Sequence, residues 1–410
     1  MNKRSSAAWV SYDFSNSAYH LLVPTVLFPL VFRDVIWGDS NSNDLAWAFV
    51  ASAPVLIAGV LGPWLGAYID AQGALRRTFV ATTLLTIVLT AALAALPASA
   101  GWLLVLAFGL GVLSFNLSQF AYNAYLPDQT KQGNAAWLSC LAWGLGYLGG
   151  IVCLIFVFPL IKGAVLPADF DAFRWSFLIV AVFFAVTALP SLLLMRSGND
   201  TQAKRTVSFG KVIRSLRNWK ENRQLFMFLG GVYLINDGLS ALIVFTSVFA
   251  SASLGMATSQ ILIAFLIVQL VAVPATIAFG WLAERYGYVR LFVISALIWV
   301  VAAICFAVVR SEREFFALSI LVGFVIGSTP ALARAIVAEV AKKRGGEAGE
   351  IFGFHIFASR VSSVLGPIIF GLVSVSTGSQ RLALASLVLF FAAGLILVLR
   401  SGIATQISRE

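Results

Sequence analysis

Four residues near the start of the chain, Asp13, Asn16, Ser17 and His20, bring together a carboxylate, an amide, a hydroxyl and an imidazole. At about 3.6 residues per turn their spacing puts them on one face of an α-helix. They run straight into the apolar stretch Leu21 to Phe32, so this helix enters a membrane. Polar and ionisable groups in that setting face a protein interior or a wet cavity, and the face reads as the wall of a solute or proton pathway. The alternative for Asp13, only about 9 Å into the helix, is a cytoplasmic helix end among lipid headgroups.

Similar chemistry recurs further on. Tyr233, Asn236, Asp237 and Ser240 interrupt an apolar segment, with Asp237 roughly 20 Å in and near mid-membrane. A carboxylate there can take and release a proton as a site opens and closes, unless an amide or arginine of a neighbouring helix holds it. Asn116, Gln119, Tyr122 and Asn123 form a third polar group. Their amides either bind a polar or zwitterionic solute or tie helices together. Arg334 and Arg360 are internal cations able to clamp a carboxylate through paired bonds. Arg334 stands near Glu339, Lys342, Lys343 and Arg344, so it can snorkel to the cytoplasmic surface or act as a gate with Asp128 or Glu339. Arg360, with His355, Ser359, Ser362 and Ser363, suits a solute contact or a buried partner for Asp237. For His20 and His355 a satisfied hydrogen bond is the first expectation and a proton relay the second.

The elements that position these groups follow from composition. Sixty per cent of the 410 residues are apolar and 11% charged, with a mean hydropathy of +0.92. That is a polytopic α-helical membrane protein. The short alternating segments of a membrane barrel are missing. The net charge of +10 suggests nucleic acid until the charges are located. Of the Lys and Arg residues, only Arg33, Lys162, Arg174, Arg310, Arg313 and Arg381 fall on the outer side and about twenty fall inside, which puts both termini in the cytoplasm. Hydropathy gives about twelve spans, 7–35, 45–70, 76–97, 101–125, 134–161, 172–195, 223–251, 258–283, 288–309, 314–339, 349–376 and 381–400. The first is too long and polar for a cleaved signal peptide. Cys140, Cys153 and Cys305 lie within spans without metal-ligand spacing. Trp9, Trp37, Trp47, Trp64 and Trp102 fall near span ends and read as interface anchors.

Residues 197–222 form a basic segment between 1–196 and 223–410. Val212, Ile213, Leu216 and Trp219 within it recur at helical spacing, as in a linker helix on the inner leaflet that can contact anionic lipid. The two halves repeat one another. Gly66, Asp70, Gly73 and Arg76 recur as Gly280, Glu284, Gly287 and Arg290, 214 residues on and at identical spacing. The acid and base of each loop can pair across neighbouring helices or onto a helix end, closing the cytoplasmic side in one state. A repeat of six spans marks a two-bundle transporter with its site at the repeat interface.

These paired loops resemble the signature loop of the major facilitator superfamily. The resemblance implies an all-α fold of twelve transmembrane helices in two pseudo-symmetric six-helix bundles, working by alternating access. Further segments are similar to the branch of vacuolar amino-acid effluxer-like, autophagy-related permeases. They are Trp9-x-x-Tyr12-Asp13-x-x-Asn16-Ser17-Ala18, Tyr122 to Asp128, Leu145 to Gly150, Asn236-Asp237-Gly238, Ala333-Arg334-Ala335, Phe352-Gly353-Phe354 and Leu365-Gly366-Pro367. Arg360 stands where that branch suggests lysine, and Ala335 where a serine commonly follows the arginine. The likeness implies a secondary active transporter, not an enzyme, moving a small polar solute such as an amino acid or related zwitterion with protons. A carrier of a larger amphiphile (a drug or metal chelator) and a non-transporting scaffold or sensor are the rivals. No phosphate loop, zinc spacing or nucleophile elbow is present, so no cofactor, metal or nucleic acid is expected. The expected setting is a bacterial inner membrane, with lipids as neighbours and the monomer as the working unit.

Overall fold

A computed structural model of the chain describes residues 3–37, 43–130, 134–162, 166, 168–195, 222–256, 258–344, 348–362 and 365–408. The basic segment 197–222, apart from Asn222, lies outside the described residues, and so does the Arg360 side chain. The helices are α1 (Lys3–Leu22), α2 (Phe28–Val31), α3 (Asn43–Gln72), α4 (Leu75–Ala95), α5 (Gly101–Ala124), α6 (Leu126–Gln129), α7 (Ala135–Ile161) and α8 (Phe170–Leu194). They continue as α9 (Arg223–Leu254), α10 (Thr258–Tyr286), α11 (Tyr288–Val308), α12 (Glu312–Ile326), α13 (Ser328–Arg344), α14 (Ala348–Val361), α15 (Leu365–Thr377), α16 (Gln380–Ser401) and α17 (Ile403–Ser408). Among the described residues eleven helical stretches are long and apolar enough to cross a membrane.

The expected twelve spans need two amendments. The tenth span runs from Glu312 to Arg344 and is interrupted by a turn at Gly327. The eleventh, expected as 349–376, is two shorter helices, α14 and α15. Pro367, which cannot donate a backbone hydrogen bond, tolerates the first turn of a new helix better than the middle of an old one. The first span also departs from regularity. After α1 it continues to Trp37 through wide turns at Val23–Leu27 and Phe32–Trp37 on either side of α2; Pro24 in the first turn and Pro29 in α2 remove backbone donors.

The chain forms two compact units. The first is Met1–Lys131, Leu145–Val207 and Gly346–Gly353; the second is Gln132–Gly144, Ser208–Gly345 and Phe354–Glu410. In the first unit α4 packs on α5 and α8, α1 on α8, and α3 on α5. In the second, α9 and α11 pack on α16, and α10 on α12. Each unit neutralises one exposed helix C-terminus with an arginine. Arg174 Nε donates to Ala94 O at 2.8 Å at the end of α4. Arg381 donates to Ala307 O and Val309 O at the end of α11. Both arginines belong to the set expected on the outer side, and both meet the negative end of a helix dipole.

Glycines set the closest approaches. A Cβ at Gly149 of α7 would lie 1.9 Å from Phe14 O of α1, and one at Gly146 would lie 2.6 Å from Ser17 Oγ. Only a missing side chain lets these two backbones meet, as at other small-residue crossings in membranes. Gly149→Ala is therefore expected to cost ~1–3 kcal/mol through overpacking. Gly371→Ala, whose Cβ meets nothing within 4 Å, should be neutral or slightly stabilising. Thermal melting of the two variants in detergent checks the contrast.

Candidate functional site

In the first unit an aromatic seam joins α1 to α5. Trp9 stacks on Tyr122 with centroids 4.6 Å apart, and its Nε1 donates to Tyr122 O at 3.0 Å. Tyr12 OH lies 2.9 Å from both Thr83 Oγ1 and Ser118 Oγ. Tyr19 meets Phe115 at 4.7 Å. Residue numbers rise along α1 as they fall along α5, so the helices are antiparallel. Trp9 is fully buried, which corrects its reading as an interface anchor; Trp102, at 72% exposed, keeps that reading. Trp9 and Tyr12 are stable here because the buried polar tip of each has a partner.

This seam fixes where the polar groups lie. On α1, Asp13 and His20 are set one residue on from the seam positions Tyr12 and Tyr19, ~100° round the helix, and Ser17 lies between them on the same face. On α5, Asn116, Gln119 and Asn123 follow Phe115, Ser118 and Tyr122 in the same way. In antiparallel helices equal rotations turn both rows to the same side of the contact, so they form one polar wall. Asp13 and Asn16 are buried, at 6% exposed each, and Asn16 Nδ2 donates to Asp13 Oδ1 at 3.0 Å. His20 is exposed and stacks on Phe115, with centroids 6.0 Å apart. Asn116 Nδ2 donates to Val112 O of its own helix at 2.7 Å. Tying of neighbouring helices is thus not what Asn116 does among the described residues.

In the second unit Asp237 is fully buried, and its Oδ1 accepts from Gly366 N at 2.9 Å. The second helix of the interrupted eleventh span, α15, thus starts on a carboxylate, the group that the positive end of a helix favours. A Cβ at Gly366 would be 2.5 Å from Asp237 O, so glycine permits the approach. Tyr233, Asn236 and Ser240 are half-buried on α9, and His355 is buried on α14.

The repeated acids do the same work at other helix starts. Within the first unit Asp70 Oδ1 accepts from Gly349 N at 2.9 Å and Oδ2 from Glu350 N at 2.8 Å. The α3 backbone comes close enough because a Cβ on Gly66 would fall 2.2 Å from Gly349 O. Within the second, Glu284 Oε1 accepts from Trp137 N at 2.7 Å, near the start of α7, and Oε2 from Tyr288 OH at 2.8 Å. Gly280 allows that approach against Cys140. The helix-end pairing open to these acids is formed in both units. Arg76 reaches Leu192 O at 3.4 Å, while Arg290 and Asp128 are exposed.

Arg334 is buried at 3% exposed, which corrects the snorkelling alternative. Its Nε donates to Ser139 Oγ at 2.9 Å and its Nη2 to Ser139 O at 2.9 Å, with the guanidinium 5.8 Å from the Trp143 ring. Glu339 pairs with Lys342 at 2.8 Å. Sequence reasoning passed over Thr83, Ser118 and Ser139, which orient Tyr12 and Arg334. Isolated hydroxyls in apolar helices carry no spacing signal of their own.

Over 401 residues, 95% of this chain and 93% of the relative, the chain is 27% identical to the uncharacterized MFS-type transporter YxiO of Bacillus subtilis. Over 395 residues, 95% of this chain and 92% of the relative, it is 24% identical to a homologue of the multi-drug resistance efflux pump PmrA in Lactococcus lactis. Its fold is similar to that of the Escherichia coli fucose:proton symporter, with a TM-score of 0.77 at 16% identity, covering 97% of this chain and 98% of that one. The chain is a multi-pass membrane transporter of the major facilitator type and not an enzyme. Residues 128–406 match the family described as vacuole effluxer Atg22 like. The chain belongs to that family.

Tyr12→Phe removes the hydroxyl that Thr83 and Ser118 share, and leaves two buried polar atoms short of a partner. Thermal unfolding in detergent is expected to show a loss of ~1–3 kcal/mol.

Proposed function

We propose that the chain is a secondary active transporter that moves a small polar solute, such as an amino acid or related zwitterion, by alternating access coupled to protons. The observation that carries this reading is Asp237: a carboxylate fully buried within α9 and engaged on the start of α15. Its charge is favoured by the helix end, by ~0.3–2 kcal/mol, and opposed by the apolar surroundings. A group so balanced can exchange a proton when the polarity around it changes, and the helix end registers the exchange.

The polar wall of Asp13, Asn16, Ser17, His20, Asn116, Gln119 and Asn123 supplies solute contacts in this scheme, with Tyr122 behind it. Tyr233, Asn236, Ser240, His355 and Arg360 extend the pathway in the second unit. Asp70 with Arg76, Glu284 with Arg290, and Asp128, Arg334 and Glu339 act as the gate, since a carboxylate on a helix start can be released and remade in each cycle. The monomer works in a bacterial inner membrane with both termini in the cytoplasm; the Bacillus relative supports the bacterial setting, and the Lys and Arg bias supports the orientation. A second reading, carriage of a larger amphiphile, is favoured by the similarity to the multi-drug efflux pump homologue.

Purified protein in liposomes with an imposed pH gradient separates the two. Gradient-driven accumulation of a labelled amino acid supports the first reading; accumulation of a cationic dye alone supports the second. Flux of nothing by folded protein favours a scaffold. In Asp237→Asn, accumulation is expected to collapse to the equilibrium level while the melting temperature stays near wild type, and unchanged accumulation would remove Asp237 from coupling.

A further inference from the structure

We propose that Asn116 and Gln119 form a donor–acceptor pair that recognises an uncharged polar group of the solute, a carboxamide or two neighbouring hydroxyls, in preference to a carboxylate or an ammonium. This rests on the transporter reading above and adds the chemistry of one contact.

Three observations lead there. Asn116 and Gln119 are 3% and 9% exposed. Asn116 Oδ1 and Gln119 Nε2 are buried and have no hydrogen-bond partner among the described residues. The two atoms are complementary, one accepting and one donating, on residues three apart whose Cβ atoms helix geometry places about 5–6 Å from each other. A buried amide atom left unpaired is costly, so a site that keeps two of opposite character suits a partner that offers both.

The identity of that partner follows from charge. Neither amide carries a charge, and a carboxylate or ammonium set against a single neutral amide in an apolar bundle stays largely uncompensated. Asp13, the acid on the same side of the seam, already accepts from Asn16 and lies at the crossing where its backbone meets Gly146. A carboxamide gives its N–H to Asn116 and accepts from Gln119 with no ion to desolvate, and two adjacent hydroxyls do the same. The exposed His20 imidazole lies on the ring of Phe115, the residue before Asn116.

The test uses full-length protein in liposomes and solute pairs of equal size, glutamine against glutamate, asparagine against aspartate, and a polyol against the corresponding acid. The carboxamide or hydroxyl member is expected to inhibit or support flux at least roughly tenfold more effectively than its charged counterpart. Asn116→Leu and Gln119→Met should melt at or above the wild-type temperature, since each removes an unpaired buried atom, and should bring discrimination to within about twofold. Gln119→Glu keeps the shape but replaces the donor by an acceptor, and it should shift preference toward amine-bearing solutes. Preference of the wild type for charged members, or intact discrimination in all three variants, would overturn the pair and leave the transporter reading standing. Absence of flux for every solute in the folded wild type would overturn the reading beneath it.

Discussion

A helix start exposes backbone N–H groups that water satisfies in solution and that nothing satisfies in hydrocarbon. This chain sets carboxylates from other helices on such starts, Asp237 inside an expected span and Asp70 and Glu284 at the expected span ends. Asp70 takes the start of α14, Glu284 that of α7 and Asp237 that of α15. At the opposite polarity, Arg174 and Arg381 take the carbonyl ends of α4 and α11. The repeated loop acids therefore act as anchors of distant helix starts. Such contacts are strong enough to define a state and weak enough to be remade.

The polar wall depends on a different kind of order. Asp13, Asn116 and Gln119 would be poorly placed on helices that could rotate, and the rings of Trp9, Tyr12, Tyr19, Phe115 and Tyr122 prevent rotation. Gly146 and Gly149 then bring α7 onto α1 so closely that the Asp13 to Ser17 segment has one available position. Packing without polar groups thus decides which way the polar groups face. The same logic holds at Gly366, where the absence of a side chain lets a carboxylate reach a backbone amide.

Much of this was legible in the sequence. Hydropathy located the spans, and the spacing shared by Gly66-Asp70 and Gly280-Glu284 announced a repeated device whose helix-end contact is present in both units. Asp237 stood out because an acid in an apolar run is rare. The interruption of the eleventh span was not legible: Ser359, Arg360, Ser362 and Ser363 make that stretch polar, but the same polarity suits a solute contact, and the window that detects spans averages over them. The role of Trp9 was missed because span-end tryptophans anchor to lipid more often than they stack inside. The side of the seam on which the wall lies required knowing that α1 and α5 touch through their aromatic rows, a tertiary fact that no local period encodes.

Whether a charged carboxylate holds a helix start within the membrane can be measured at the helix itself. Amide hydrogen exchange at constant pH on wild type, Asp237→Asn and Asp70→Asn, all reconstituted alike, should show faster exchange at the beginning of 365–377 in the first variant and at the beginning of 348–361 in the second, with other helices unchanged. Protection of both helix starts equal to wild type would contradict the account.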